Sequence, residues 1–269
     1  MNLISHYLTK NPCYQANLNR ADSRYTNFQA AGPKGLMLHS VGCAQPSAEV
    51  FCRLWDREDY NGACVHAFID AKTGAVWQTL PWNYRGWHCG GSGNDTHLGV
   101  ELCESSAIRY ESGVKFTVLD RAAALADCSR AYQAAVELFA TLCAQYKLDP
   151  KQAICSHKEG CSRGIATAHG DPEHYWAGLG TSYSMAGFRA DVAKTLQKSQ
   201  STAEAAPAPA GSAAFPFPET SPDAWYADAL RWALERHILS AGDSFRPEAP
   251  CSMASAVVLL RRLWMDLQR

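Results

Sequence analysis

The chain has 269 residues, 47% of them hydrophobic and 19% charged, with a formal net charge of −1 and a pI near 6.7. That is enough apolar chain for a full core in one or two domains, and the near-neutral balance excludes the basic field that holds nucleic acid or an anionic membrane. No apolar run reaches the roughly eighteen residues of a membrane-spanning helix, and the opening MNLISHYLTKNPCYQANLNR lacks the continuous apolar segment of a secretory signal. The expectation is therefore a protein made in the cytoplasm, with neither nucleic acid nor membrane as partner.

The eleven cysteines are odd in number and show no dense spacing, so most of them read as small buried apolar residues. Residues 1–34 are polar and irregular, with Asn11-Pro12 and Gly32-Pro33 as turn signals, and predict an arm packed on a later core, with His6 structural. GLMLHS, residues 35–40, is a short apolar run that predicts a buried strand delivering His39 at its end. A helix then runs from Ser47, its N-cap, to about Arg57, with Val50 and Leu54 on the buried face. ACVHAFID and AVWQTL, joined through Lys72-Thr73-Gly74, predict a hairpin with Val65, Ala67 and Ile69 on one face and His66 and Phe68 on the other.

After the aromatic loop WNYRGWHCGGSGND comes the strand HLGVELC, whose apolar run contains Glu101, a carboxylate that needs a partner there. Helical spacing from about Val118 to Tyr146 predicts one long helix covering the sheet. AIC, residues 153–155, reads as a last short strand that delivers His157 as the first delivers His39. The stretch from Ala153 to Trp176 sets His157, His169, Asp171 and His174 among small residues that read as a loop. Imidazole and carboxylate bind borderline metals, and a hydrolytic site uses three protein ligands with one position left for water. Met185 to Gln197 predicts a closing helix capped by Ser184.

Residues 199–214, SQSTAEAAPAPAGSAA, are too poor in bulky apolar groups to form a core and predict a linker. The organisation is thus a larger α/β domain with its arm over 1–198, a linker over 199–214 and a small helical module over 215–269.

Taken together, GLMLHS, ACVHAFIDAKTGAVWQTLP, RGWHCGG with HLGVELC, and SHKEG through HGDPEHYW resemble the zinc-dependent N-acetylmuramoyl-L-alanine amidases of the peptidoglycan-recognition and phage-lysozyme type. The resemblance covers roughly residues 35–195 and implies an α/β fold, a mixed central β-sheet flanked by helices, with a groove over the sheet. It implies Zn²⁺ held by His39, His157 and Asp171. The loop from His157 to Asp171 is longer than in short family members, which leaves His169 and Cys161 as rival ligands. With Asp171 as ligand, His169 falls where relatives carry an oxyanion-stabilising Lys, and Glu101, in Gly99-Val100-Glu101-Leu102, falls where some carry the general base. His88, Trp87 and His66 are the candidates for substrate contact, although the apolar strand neighbours of His66 make it read rather as a histidine of the core or one behind a ligand, and Trp82 and Tyr84 could stack on sugar faces.

The activity implied is hydrolysis of the amide between N-acetylmuramic acid and L-alanine by zinc-activated water, as in a phage or prophage endolysin that acts on the cell wall after release. The alternatives are a recognition protein that binds peptidoglycan without cutting it, and a zinc peptidase. Residues 215–269 resemble a single S-layer homology repeat, which implies a secondary cell-wall polymer or self-association as partner. The usual Thr-Arg-Ala-Glu of that repeat reads Ser252-Met253-Ala254-Ser255 here, and without the Arg and Glu the module could equally be a structural cap.

Overall fold

A computed structural model of the chain describes residues 1–205, 227–236, 238, 239 and 259. In chain order the elements begin with β1 (Leu3–Ser5), α1 (Pro12–Leu18), α2 (Ser23–Ala31), β2 (Gly35–Ser40), α3 (Ala48–Trp55), β3 (Ala67–Ile69), β4 (Val76–Gln78) and β5 (His97–Leu102). They continue with β6 (Ile108–Ser112), β7 (Lys115–Val118), α4 (Arg121–Tyr146), α5 (Pro150–Ala153), β8 (Ile154–Ser156), α6 (His157–Ser162), α7 (Glu173–Gly178) and α8 (Met185–Ala205).

Six strands form one sheet in the order β1-β4-β3-β5-β2-β8, and β6 and β7 form a separate hairpin. Within the six-stranded sheet only the β3–β4 pair is antiparallel; β1 with β4, β3 with β5, β5 with β2 and β2 with β8 are parallel. This is the mixed sheet flanked by helices that the sequence predicts. Side chains alternate across a strand, so each strand feeds two faces. On one face Leu36 and Leu38 of β2, Leu98 and Val100 of β5, Ala67 and Ile69 of β3 and Ile154 of β8 join Ala135, Leu138 and Phe139 of α4 and Phe188 of α8 in the main core. Each such leucine contributes about 1.5–3 kcal/mol by leaving water. The other face carries Met37 and His39, opposite Gly99 and Glu101 in the β2–β5 register, and that face holds the polar groups described below.

Several local expectations change. The first 34 residues are an arm on the core, with Leu8, Cys13, Tyr25 and Phe28 buried, but they are regular rather than irregular. Asn11 and Asp22 cap α1 and α2 with their side chains, and β1 adds a strand to the sheet edge. In α3 the buried face is Ala48, Phe51 and Cys52, while Leu54 is 49% exposed, because Phe51 stacks on Phe68 and fixes the helix rotation. The long helix starts at Arg121, with Asp120 as its cap, because Lys115–Val118 is spent on β7. The His-rich stretch is not one loop. His157 opens α6 directly after β8, and Ser156 and Glu159 close a reciprocal capping box around it. Eight of the ten described cysteines are buried, and all ten are free thiols.

The chain divides into two compact units, Met1–Thr202 and Ala203–Arg269. Ser184 caps α8 as expected, its Oγ accepting from the Gly187 amide at 3.1 Å. The helix continues to Ala205, so the first residues of the expected linker are helical. In the second unit α9 (Ala227–Glu235) contributes Leu230 and Ala233 to a small cluster with Ile238 and Leu239. Most of the S-layer-like stretch, including Met253 and Ser255, lies outside the described residues.

Candidate metal centre

Three side chains from three different places in the chain converge over the polar face of the sheet. His39 leaves the end of β2, His157 stands at the first position of α6, and Asp171 lies just before α7. His39 Nδ1 is 3.1 Å from His157 Nδ1 and 3.2 Å from Asp171 Oδ2, and His157 Nδ1 is 3.7 Å from the same oxygen. All three residues are buried, and among the described residues theirs is the one group of His, Cys, Asp or Glu side chains arranged to hold an ion. Neither His169 nor Cys161 belongs to that group.

Each imidazole has a second partner behind it. His39 Nε2 is 3.0 Å from His88 Nδ1, and His88 Nε2 is 3.0 Å from the His97 carbonyl oxygen. On the other side His157 Nε2 is 3.4 Å from Thr167 Oγ1, which in turn donates to the Cys89 carbonyl at 3.1 Å. Such outer contacts set the ring plane of a ligating histidine.

Burial, reinforced by the neighbouring His39, lowers the pKa of His157 to about 4, so this ring is neutral at pH 7 and has a lone pair to give. Burial, with His39 and His66 nearby, likewise takes His88 well below the ordinary range. For Asp171 burial pushes the carboxyl up, but its contacts with the His39 and His157 rings outweigh it, and the net direction is down. Glu101 moves the opposite way. Burial, then the Asp171 and Glu104 carboxylates, raise it well above the usual range, and its Oε2 is enclosed without a hydrogen-bond partner.

A groove of about 680 Å³ lies over the centre, lined among others by Glu101, His88, Trp87, His157, His169 and Asp171. Of the residues expected at substrate, Trp87 and His88 line this groove and His66 does not. His66 is fully buried, with Nδ1 accepting from the Gly99 amide at 3.0 Å and Nε2 donating to the Tyr84 carbonyl at 2.8 Å, so neither nitrogen is free for substrate. Trp82 and Tyr84 pack against the two apolar clusters rather than onto the groove. His169 is exposed on the rim, its ring 4.4 Å from that of His157 and its Nδ1 3.2 Å from Thr167 Oγ1. His174 places Nε2 2.8 Å from the Tyr110 hydroxyl, which donates to the fully buried Glu104 at 2.6 Å.

Sequence reasoning missed Glu104, Tyr110 and Thr167. The β6–β7 hairpin that carries Tyr110 has the alternation IRYES followed by KFTV, a signal that could have found it. Thr167 has no local signal, since its role depends on the path of the loop back to Cys89.

Residues 29–174, more than half of the chain, match the model of a family described as N-acetylmuramoyl-L-alanine amidase. The chain belongs to that family. As a member of the N-acetylmuramoyl-L-alanine amidases it is an enzyme and a peptidoglycan hydrolase. Among solved structures it is similar to the hydrolase AmiA of Staphylococcus aureus in complex with its ligand, with 20% identity, a TM-score of 0.53, and coverage of 74% of this chain and 86% of that one. The catalytic domain of XlyA gives 20% identity and a TM-score of 0.46 over 71% of this chain and 99% of that one. A mutant endolysin from Bacillus subtilis gives 19% and 0.46 over 71% and 99%. At this identity the likeness to AmiA concerns the fold, the same α/β architecture that carries the amidase centre. Comparison with curated proteins found no match.

Proposed function

We propose that this amidase holds a zinc ion on His39, His157 and Asp171 and cleaves the bond between N-acetylmuramic acid and L-alanine in the wall. The observation that carries the reading is the convergence of two ring nitrogens and one carboxylate oxygen within 4 Å of one another in a buried pocket. Three lone-pair-bearing atoms this close repel unless a proton or a cation lies between them. Two imidazoles and a carboxylate are a donor set that zinc accepts, and catalytic zinc sites keep three protein ligands with one position open. When bound, zinc supplies an acidified water and a Lewis acid toward the scissile carbonyl.

Glu101 supports the proton chemistry. In the β2–β5 register it stands beside His39 on the same face, and its unpartnered Oε2 has a raised proton affinity. A carboxylate so placed takes a proton from the attacking water and returns it to the leaving amine nitrogen of L-alanine. His169, exposed on the rim beside His157, donates its N–H toward the oxyanion that develops on the carbonyl oxygen. Trp87 and His88 form part of the groove in which the glycan and stem peptide lie.

Within the same reading, the domain over 1–198 is the cutting part, and the Ala-, Pro- and Ser-rich stretch over 199–214 joins it to residues 215–269, which target the wall polymer or self-associate. The whole acts as an endolysin that reaches the wall after release. The motifs quoted above support this assignment, and the complete ligand triad weighs against a recognition protein that binds without cutting.

Metal analysis of the purified chain tests the centre. One zinc per chain is expected, lost in Asp171→Ala and kept in His169→Ala. Full zinc in Asp171→Ala would overturn the ligand assignment.

A further inference from the structure

His88 faces the groove, yet its two ring nitrogens are both committed behind the centre, and the direction of each bond can be deduced. The His97 carbonyl oxygen can only accept, so the His88 Nε2 that lies 3.0 Å from it carries the proton. A neutral imidazole has one N–H, so His88 Nδ1 is a bare acceptor. The atom it accepts from, at 3.0 Å, is His39 Nε2, which must therefore bring the proton. With Nε2 committed to His88, Nδ1 is the nitrogen that His39 turns toward His157 and Asp171, and the one it has left to give a metal.

The surroundings are built to hold this chain of contacts. The backbone amides of His88 and Cys89 both donate to Asn94 Oδ1, at 2.8 and 3.1 Å, which fixes the start of the His88 side chain. The imidazole lies close against β5 at Gly99, where any Cβ would overlap its Cγ, so glycine is required there by space. His66, the histidine excluded from the groove, accepts the Gly99 amide and thereby holds that strand position in place.

We propose that His88 is a positioning residue that fixes the tautomer and ring plane of His39, so that His39 Nδ1 faces the metal position as a lone pair. The role is distinct from substrate contact, and it gives the Trp87-His88 and Gly99-Val100-Glu101-Leu102 segments a shared purpose. It rests on the zinc reading above. Without His88 the His39 ring can turn or place its proton on Nδ1, where an N–H confronts the cation. Loss of an outer-shell partner of this kind costs about 10–100-fold in metal affinity or activity.

The test is zinc affinity, measured by competition with a chromogenic chelator on the full chain, for wild type, His88→Leu, His88→Asn and His39→Ala, with circular dichroism to confirm folding. His88→Leu is expected to bind zinc about 10–100-fold more weakly. His88→Asn, whose Oδ1 can take the place of Nδ1 as acceptor, is expected to recover part of that loss. A second readout, imidazole NMR of the zinc-loaded wild type, should show a hydrogen-bonded, slowly exchanging Nε2 proton on His39 that is lost in His88→Leu. A purely structural role would not move that resonance in a variant that remains folded. Zinc affinity and His39 resonance both unchanged in His88→Leu would overturn the relay and leave the centre intact. Unchanged affinity in His39→Ala would instead overturn the ligand assignment, and the relay with it.

Discussion

The two faces of β2 are built from alternate residues of the same six, GLMLHS, and they do different work. Leu36 and Leu38 point into a continuous apolar core against α4. Met37 and His39 point the other way, where Met37 packs with Cys89 and Cys155 and His39 enters a chain of polar contacts. The core face is held by area, which tolerates small shifts at modest cost. On the polar face bond direction decides the outcome, and one misplaced proton changes what His39 can bind. The difference teaches that the centre is rigid because it is fixed at the end of a strand whose other face is buried, with polar partners choosing the orientation.

The largest effect that separates the faces comes from His39→Ala. It is expected to remove measurable amidase activity and zinc while leaving the circular dichroism spectrum of the folded chain; retained activity would break the distinction. Glu101→Gln is next. It should keep zinc and fold but lower kcat by about 10²–10⁴-fold, as expected for loss of a general base, and wild-type lysis rates would sink the catalytic role. On the opposite face Leu38→Ala is expected to lose about 2–5 kcal/mol of stability by denaturant titration, with turnover per folded molecule close to wild type.

The smallest contrast is in pH. Burial lowers His66 from the ordinary 6.5 to about 4, so the unfolded chain takes up its proton first as pH falls. Stability from this group is whole above pH 6.5 and is lost between 6.5 and 4, by up to about 3 kcal/mol. Urea titration of the metal-free protein at pH 7 and pH 5 should show the decline, with a shallower slope in His66→Gln. Equal slopes would place the titration elsewhere.

Much of this was legible in the sequence. The alternation in GLMLHS and HLGVELC marks two strands, and their ends place His39 and Glu101, because a period of two fixes the face of each residue once the core is known. The β3–β4 hairpin was legible for the same reason. Three things were not. Phe51, rather than Leu54, sets the rotation of α3 through a long-range stack on Phe68. The apolar neighbours of His66 mark a core histidine, but the groups that seal it, Tyr84 and Gly99, are contacts that only the folded chain creates. That Asp171, and not His169, comes close to His39 and His157 depends on how the chain folds back between α6 and α7, which spacing along the sequence does not encode.

The central claim is that the polar face is a zinc amidase centre, and it is tested most directly by digesting purified cell walls and assaying the new amino termini, with and without a zinc chelator. The account predicts new N-terminal alanine, abolished by the chelator and restored by added zinc. Release of other termini, or alanine release that the chelator leaves unchanged, would contradict it.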